Sequence, residues 1–568
     1  MTTNAAAIGQ RSRLPSLRRV RLNIWSVGTL IVAGLASVPI IAVIAMALMP
    51  QDNIWPHLAS TVLPHYILTT LILMTGVGLG TLIIGTGCAW LVTMCRFPGR
   101  RMFEWALLLP MAVPAYIVAY VYTDLLEFAG PVQETLRDLF GWKLKSEYWF
   151  PEIRSTGGAA LMMTLAFYPY VYLLSRAAFL EQSVGVLEVG RTLGRGPWRG
   201  FFRIALPLAR PAIIVGLTLV LMETLNDFGT VDYFAVATFT AGIFDVWLNM
   251  NNVGGAAQLA TVLLAFVLVL IYLERRNRRG QQYHSTTTKV QALPGYHLKG
   301  FSKFATVLAC CLPVLFGFVL PAGILLNYAI SHYSEALDAN LIAFTLNSLM
   351  LASAAALICI FVGGFMAYGA RLDGSALVKG ATRFASLGYA VPGAVLAIGV
   401  IIPTAWLDNS VDAIMRDLFG IPTGLILSGT IVAVTIGYVV RFLALSFGTV
   451  EASLAKVTHN MDGAARTLGH GPAQTFVKVH MPLIRGSILT AAILVFVDTM
   501  KELPMTIILR PFNFQTLATF VHQYASDELL EESALAALII VAAGILPVIL
   551  LSRTIGRSRP GTKAGEFV

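Results

Sequence analysis

Four carboxylates stand inside long apolar runs of this sequence, Glu223 and Asp227 in one and Asp498 and Glu502 in another. A charge inside a membrane-spanning segment costs about 2.5 to 3.5 kcal/mol on insertion scales, so such residues mark a pathway or pair with something. One offset relates the two pairs: Asp498 follows Glu223 by 275 residues, and Glu502 follows Asp227 by 275. Spacing within each pair is i, i+4, which on a helix sets both acids on one face about 6 Å apart along the axis. Counted from Pro211, Glu223 lies about 18 Å along its helix and Asp227 about 24 Å, in a bilayer core about 30 Å thick. Acids at matched depths lining one central path predict passage of a cation. Carboxylates are hard oxygen ligands and suit hard cations, and no His, Cys or Met cluster shares their faces. A metal ion and an organic amine both remain open at this point, and no residue is assigned as a firm metal ligand. Asp498 and Lys501, three apart, are also placed to pair with each other, while Gly229 and Pro504 interrupt the helices beside Asp227 and Glu502.

The elements that position these acids are themselves doubled. Residues 188–207 read EVGRTLGRGPWRGFFRIALP and residues 463–482 read GAARTLGHGPAQTFVKVHMP, again 275 residues apart. A shared RTLG core, a shared Gly-Pro and a shared final Pro at one offset mean a duplication. Both stretches are polar, basic islands between apolar runs, so they lie in water between spans. Their Gly-x-Gly-Pro core breaks a helix, which predicts a short helix, a turn and a second short helix. AVP recurs at Ala112–Pro114 and Ala390–Pro392, and RDLFG at Arg137–Gly141 and Arg416–Gly420.

Composition sets the class. The 568 residues are 57% hydrophobic and 12% charged, with mean hydropathy +0.74, which excludes an ordinary soluble protein and predicts an all-α, polytopic membrane protein. Windows of roughly 20 residues able to cross a bilayer occur about twelve times. They fall near 24–49, 66–95, 103–124, 157–180, 211–233 and 256–273, and again near 306–330, 342–370, 383–406, 424–447, 486–509 and 534–552. The resulting units are a basic tail (1–23), a first six-span repeat (24–273), a polar linker (274–303), a second repeat (304–552) and a tail (553–568). Five arginines precede the first apolar run, which is too long for a signal peptide core and reads as a retained span. Basic residues gather in the tails, the linker and both islands, whereas loops 50–65, 234–255 and 331–341 hold no Lys or Arg. The positive-inside rule then places both termini and both islands in the cytoplasm. Six spans per repeat make the repeats parallel. The net charge of +10 follows from these loops and implies no nucleic acid. The five cysteines, Cys88, Cys95, Cys310, Cys311 and Cys359, have no metal-ligand spacing and read as buried fillers. On the outward side, residues 125–156 predict an amphipathic helix, and they, 408–421 and the acidic end of 510–533 are candidate contacts for an external partner.

At the islands the chain resembles the inner-membrane permeases of binding-protein-dependent ABC importers, whose EAA loop carries Glu-Ala-Ala, three residues, Gly and a later hydrophobic-Pro pair. Glu188, Gly194 and Pro207 match in the first copy, and Ala464, Ala465, Gly469 and Pro482 in the second. Val189 and Gly190 replace the alanines of the first copy, and Gly463 the glutamate of the second, with Asp462 one residue earlier. METLNDFGTVDYF (222–234), KELPMTIILRPFNFQTLA (501–518) and YWFPEIRSTGGAA (148–160) resemble the fused ferric-iron permeases. The resemblance implies a type I ABC importer permease fold in a bacterial inner membrane. It also implies two copies of an ABC ATPase at the islands, an extracytoplasmic binding protein at the outer loops, and ferric iron as cargo. Permeases for thiamine, polyamines or aminophosphonates are similar alternatives. No Walker A pattern occurs and the nine histidines form no catalytic constellation, so the chain is expected not to be an enzyme or to hold a cofactor, with ATP on the partner. An ion-coupled secondary transporter, with the acids as an ion relay, is the reading from another class.

Overall fold

A computed structural model of the chain describes residues 23–50, 52–182, 197–278, 296–333, 337 and 339–557. Among them, eleven helices are long and apolar enough to cross a membrane, and a bent pair supplies a twelfth crossing. The bent pair is span three. It was expected as one window over 103–124, but Arg100–Ala112 and Ala115–Phe140 meet at 88°. Pro114 is the cause: it forces the preceding Val113 into extended backbone. Its echo acts likewise in the second half, where Val391 is extended before Pro392 and span nine begins only at Gly393.

Span nine then runs without interruption to Phe419, so 408–421 is helix rather than the expected loop until Gly420, at φ +65°, ends it. The Asp408 side chain accepts backbone N–H groups of Ile426, Leu427 and Ser428, folding the return segment against the helix. Residues 125–156 contain the expected amphipathic helix, Pro131–Phe140. Two supposed loops are largely buried structure: Phe239–Phe244 and Leu517–Ser526 are helices packed into the core.

The islands also depart from expectation. In the second, His459–Thr467 is the first short helix, and Gly469 at φ +80° turns the chain. The amide of His470 then closes on the Ala465 carbonyl, the closure that an αL glycine permits after a helix. The expected second short helix does not exist as a separate piece, because Pro472 opens a helix continuous with span eleven as far as Met500. Span five likewise runs unbroken from Trp198 to Asn226. Pro207 and Pro482 therefore sit inside helices. Each is preceded by a π turn, Phe201–Ala205 and Phe476–His480, whose wider hydrogen bonding makes room for a ring that would strike the carbonyl four residues back. Glu188 and Gly194 lie outside the described residues.

The two halves are interlocked. Span two packs on span four and span eight on span ten, the same pairing in each repeat. Span one, Ile24–Leu48, leans on spans eight and nine of the other half. Span seven, Phe301–Ser331, returns the contact against spans three and four of the first half. At one crossing a β-carbon on Gly399 would lie 2.2 Å from the Pro39 carbonyl oxygen, so only glycine fits there. Two residues at each end of the linker contact, Cys95–Arg96 and Tyr296–His297, pair as short parallel strands. Among the five cysteines, four are buried and Cys311 is half-buried.

Candidate functional site

Spans five and eleven end beside each other, and the ends make the site. The apolar helix stops at Asn226 in one and at Met500 in the other. Asp227 and Glu502 are thus beyond the helix ends and do not share a helical face with Glu223 and Asp498 as expected. The physical reason is local capping. Asp227 accepts the Thr230 N–H at 2.9 Å and its hydroxyl at 3.1 Å, opening the short helix Gly229–Tyr233. Glu502 accepts the N–H groups of Met505 and Thr506 at 3.3 and 3.2 Å, opening Pro504–Leu509. Such side-chain acceptors satisfy amides that a helix start leaves without partners. Both breaks fall at the 275-residue register, and this turn is what brings all four acids together.

Glu223, Asp227, Asp498 and Glu502 line one cavity of about 100 Å³ between the halves. Tyr116 and Tyr170 reach it from the first half, Tyr389, Arg441 and Lys501 from the second. Across the seam Asn226 Oδ1 accepts the Gly393 N–H at 2.7 Å, and Tyr389 Oη lies 3.4 Å from Glu223 Oε1. Close approach here depends on Gly229, where a β-carbon would lie 2.7 Å from Tyr116 Cβ and 2.8 Å from Leu503 Cδ2. Phe228 separates this cavity from a second one, of about 360 Å³, lined by Asp232, Asp245, Arg510, His522 and Asp527. The Phe228 ring stacks on Phe244 with centroids 3.6 Å apart.

The acids are repeated but the bases are not. Lys501 Nζ pairs with Asp498 Oδ1 at 3.0 Å, as the spacing allowed, and Arg441 Nη1 with Glu502 Oε1 at 3.0 Å. In the first half the counterpart of Lys501 in the 275-residue register is Asn226, and among the described residues neither Glu223 nor Asp227 forms a direct ion pair, although the charges of Arg441 and Lys501 reach Glu223 across the cavity. Arg441 is absent from the expected site, although a single arginine within an apolar run carries the same signal as the acids. Arg441 is only 6% exposed, and its Nε has no hydrogen-bond partner. The Tyr116 hydroxyl is buried in the same condition. Among the described residues, no three His, Cys, Asp or Glu side chains are grouped so as to hold a metal ion.

At the other end of span eleven, Asp462 ties the island together. It binds Arg371 Nη2, at the end of span eight, at 2.8 Å, and His480 Nε2, in the π turn, at 2.6 Å. Arg371 also donates to the carbonyls of Leu454 and Val457. Burial opposes the charge of Asp462, but the hydrogen bonds and charge of Arg371 and His480 outweigh it and hold the carboxyl below the usual carboxylate range. The acid displaced by one residue from the motif is thus turned inward to its own bundle. Leu468, at the turn, is 77% exposed, and Trp198 and Phe202 are exposed on the first island.

Residues 81–279 and 359–559 each match the family described as binding-protein-dependent transport system inner membrane component, so one copy covers each acid pair. The chain is 27% identical to the Fe(3+)-transport system permease protein FbpB 2 of Haemophilus influenzae over 85% of its own length and 88% of that protein. It is 22% identical to the ferric transport system permease protein FbpB of Actinobacillus pleuropneumoniae, over 78% of this chain and 64% of that one. The molybdenum transport system permease protein ModB of Escherichia coli is 29% identical over 33% of this chain and 80% of its own.

Proposed function

Because the chain belongs to the binding-protein-dependent transport system inner membrane components, we propose that it forms the transmembrane path of an ATP-driven importer for ferric iron. The observation that carries this reading is the convergence of four symmetry-related carboxylates on one cavity between the halves. Similarity to ferric permeases over most of the chain supports iron, whereas the molybdenum permease matches only about one repeat's worth of it.

The working cycle follows from the elements. Both termini and both islands face the cytoplasm, as loop charge directs. One ATPase copy docks on each island, where the exposed Leu468, Trp198 and Phe202 offer apolar contact, and ATP stays on that partner. A binding protein delivers the cation to the opposite face, the cavity beyond Phe228 receives it, and the acid-lined cavity passes it on. ATP binding opens this route by moving the islands, and hydrolysis resets it.

The test is uptake by the assembled complex in liposomes. Glu223→Gln combined with Asp498→Asn should abolish iron uptake while ATPase subunits still co-purify. Unchanged uptake in that double variant would reduce the acids to structural roles. Uptake driven by an ion gradient with no ATPase present would instead establish the secondary-transporter reading.

A further inference from the structure

We infer that the Lys501 ammonium is a tethered stand-in for the cargo cation: it serves Asp498 and Glu223 as counter-ion until cargo arrives, and cargo enters by displacing it. This rests on the cation reading above and deepens it, by naming the residue with which the cation competes.

Three observations carry the inference. First, one ammonium serves acids of both halves. Lys501 Nζ pairs with Asp498 Oδ1 at 3.0 Å, and its charge also acts on Glu223, which lines the same cavity from the first half. Asp498 and Glu223 are equivalent in the 275-residue register, so they are the matched pair that a cation on the acid path must meet. Second, of the two bases in the cavity only Lys501 is placed to move. The charge of Arg441 reaches Glu223 too, but its Nη1 is held by Glu502, which is itself fixed by the Met505 and Thr506 amides and the Thr506 hydroxyl. The Arg441 and Glu502 side chains are 7% and 2% accessible, against 21% and 19% for Lys501 and Asp498. Lys501 also stands just beyond the end of span eleven, on a flexible stem that lets its ammonium swing. Third, the first half has no such group. Asn226 holds the register position of Lys501 and is committed to the seam, its Oδ1 accepting the Gly393 N–H at 2.7 Å. Among the described residues the cavity therefore has four acids and one movable cation.

Electrostatics makes the two occupants exclusive. Carboxylates without a counter-charge repel one another in a site of low dielectric, where charges interact more strongly than in water. The ammonium removes that repulsion when no cargo is present. A hard multivalent cation is drawn to the same acids and repels the ammonium, so one leaves as the other binds. Returning to its acids, Lys501 then drives the cargo onward.

The experiment is equilibrium binding of terbium(III), a hard trivalent probe excited through the cavity tyrosines Tyr116, Tyr170 and Tyr389, to the full-length chain in nanodiscs. Lys501→Gln and Lys501→Ala should each bind the probe about tenfold or more tighter than wild type, which corresponds to ~1.4 kcal/mol. Lys501→Arg, which returns the positive charge, should return the weaker binding. Propylammonium, the piece of lysine that the alanine variant lacks, should compete with terbium in Lys501→Ala. Equal or weaker binding by the two neutral variants overturns the inference, because breaking an ion pair that only supports the fold gives no gain in affinity. Wild type supplies a check that needs no variant to fold: reductive methylation of Lys501, read by peptide mass spectrometry, should rise severalfold as terbium saturates the chain. Methylation that does not rise overturns the displacement. Terbium binding unchanged in Glu223→Gln combined with Asp498→Asn overturns the cation reading itself.

Discussion

At the scale of single residues, the 275-residue register carried real physical content, but not all of the geometry. It placed Glu223 opposite Asp498 and Asp227 opposite Glu502, and the four do share a cavity. The i, i+4 face did not survive, because a carboxylate one or two residues past a helix end finds the free amides of the next short helix. The cues were Gly229 and Pro504, which mark a break without showing which way the chain turns. Arg441 was legible as an intramembrane charge, whereas its pairing with Glu502 depends on how span ten packs and on a glycine at 393, where a β-carbon would lie 2.3 Å from Arg441 Nη1. Asp462 gives a sharper case. Its two partners, Arg371 and His480, lie 91 and 18 residues away, so spacing alone could not reveal the clamp. Asp462→Asn should lower stability by about 1.5–3 kcal/mol, the worth of hydrogen bonds to charged groups, read as a lower unfolding temperature in detergent. The sign of its pH dependence follows from the depressed carboxyl. The stabilisation is complete above the ordinary aspartate value of about 3.9 and is lost only as pH falls through the lower folded value. The gap between wild type and variant should therefore not shrink between about pH 8 and pH 5; a gap that closes by pH 5 would show that Asp462 is not held by Arg371 and His480.

At the scale of elements, continuity is the main finding. The helix from Pro472 to Met500 has 29 residues, about 42 Å at 1.5 Å per residue, and joins the island turn directly to the acid cavity. A reading based on Gly and Pro punctuation divided it, since Pro482 signals a break; the π turn before it lets the helix absorb the proline. One continuous helix can carry displacement from the Leu468 end to Asp498. Two glycines inserted between Ile488 and Leu489 should therefore uncouple the ends. Glycine costs about 1 kcal/mol relative to alanine in a helix, so the insertion softens the helix and also rotates its far end. The expected outcome is ATP hydrolysis by the assembled complex at near the parental rate, with iron uptake lost. Uptake and hydrolysis falling together in proportion would mean that transmission runs elsewhere. A companion change acts at the seam itself. Gly229→Val must push Tyr116 and Leu503 apart, since its Cβ alone would sit under 3 Å from both, and overpacking of this kind costs about 1–3 kcal/mol. Loss of uptake with the ATPase still bound would place the damage at the cavity.

At the scale of the whole molecule, the fold class, the number of crossings and the parallel doubling were all readable from hydropathy and repeat. The interlocking of the halves was not, because an apolar span reads the same whichever half it leans on. Span one packs on spans eight and nine, and span seven on spans three and four, so each repeat completes its bundle with a helix of the other. A single covalent chain is then unnecessary for assembly once both repeats are made. Interfaces of this mutual kind resemble obligate ones, which bury about 2,000 Å² or more. Cleavage within the linker at 279–295, or co-expression of residues 1–285 with residues 286–568, should yield two fragments that co-purify and still support ATP-driven uptake. The sharper arm removes span one from the first fragment. If that helix is part of the second half's packing, residues 286–568 should lose protease resistance most clearly around Gly399, where Pro39 is seated, even though no residue of that fragment has changed. A second fragment equally resistant with and without span one would show the repeats to be self-sufficient bundles, and the exchange of spans to be an accessory to a seam already held by Asn226 and Gly393.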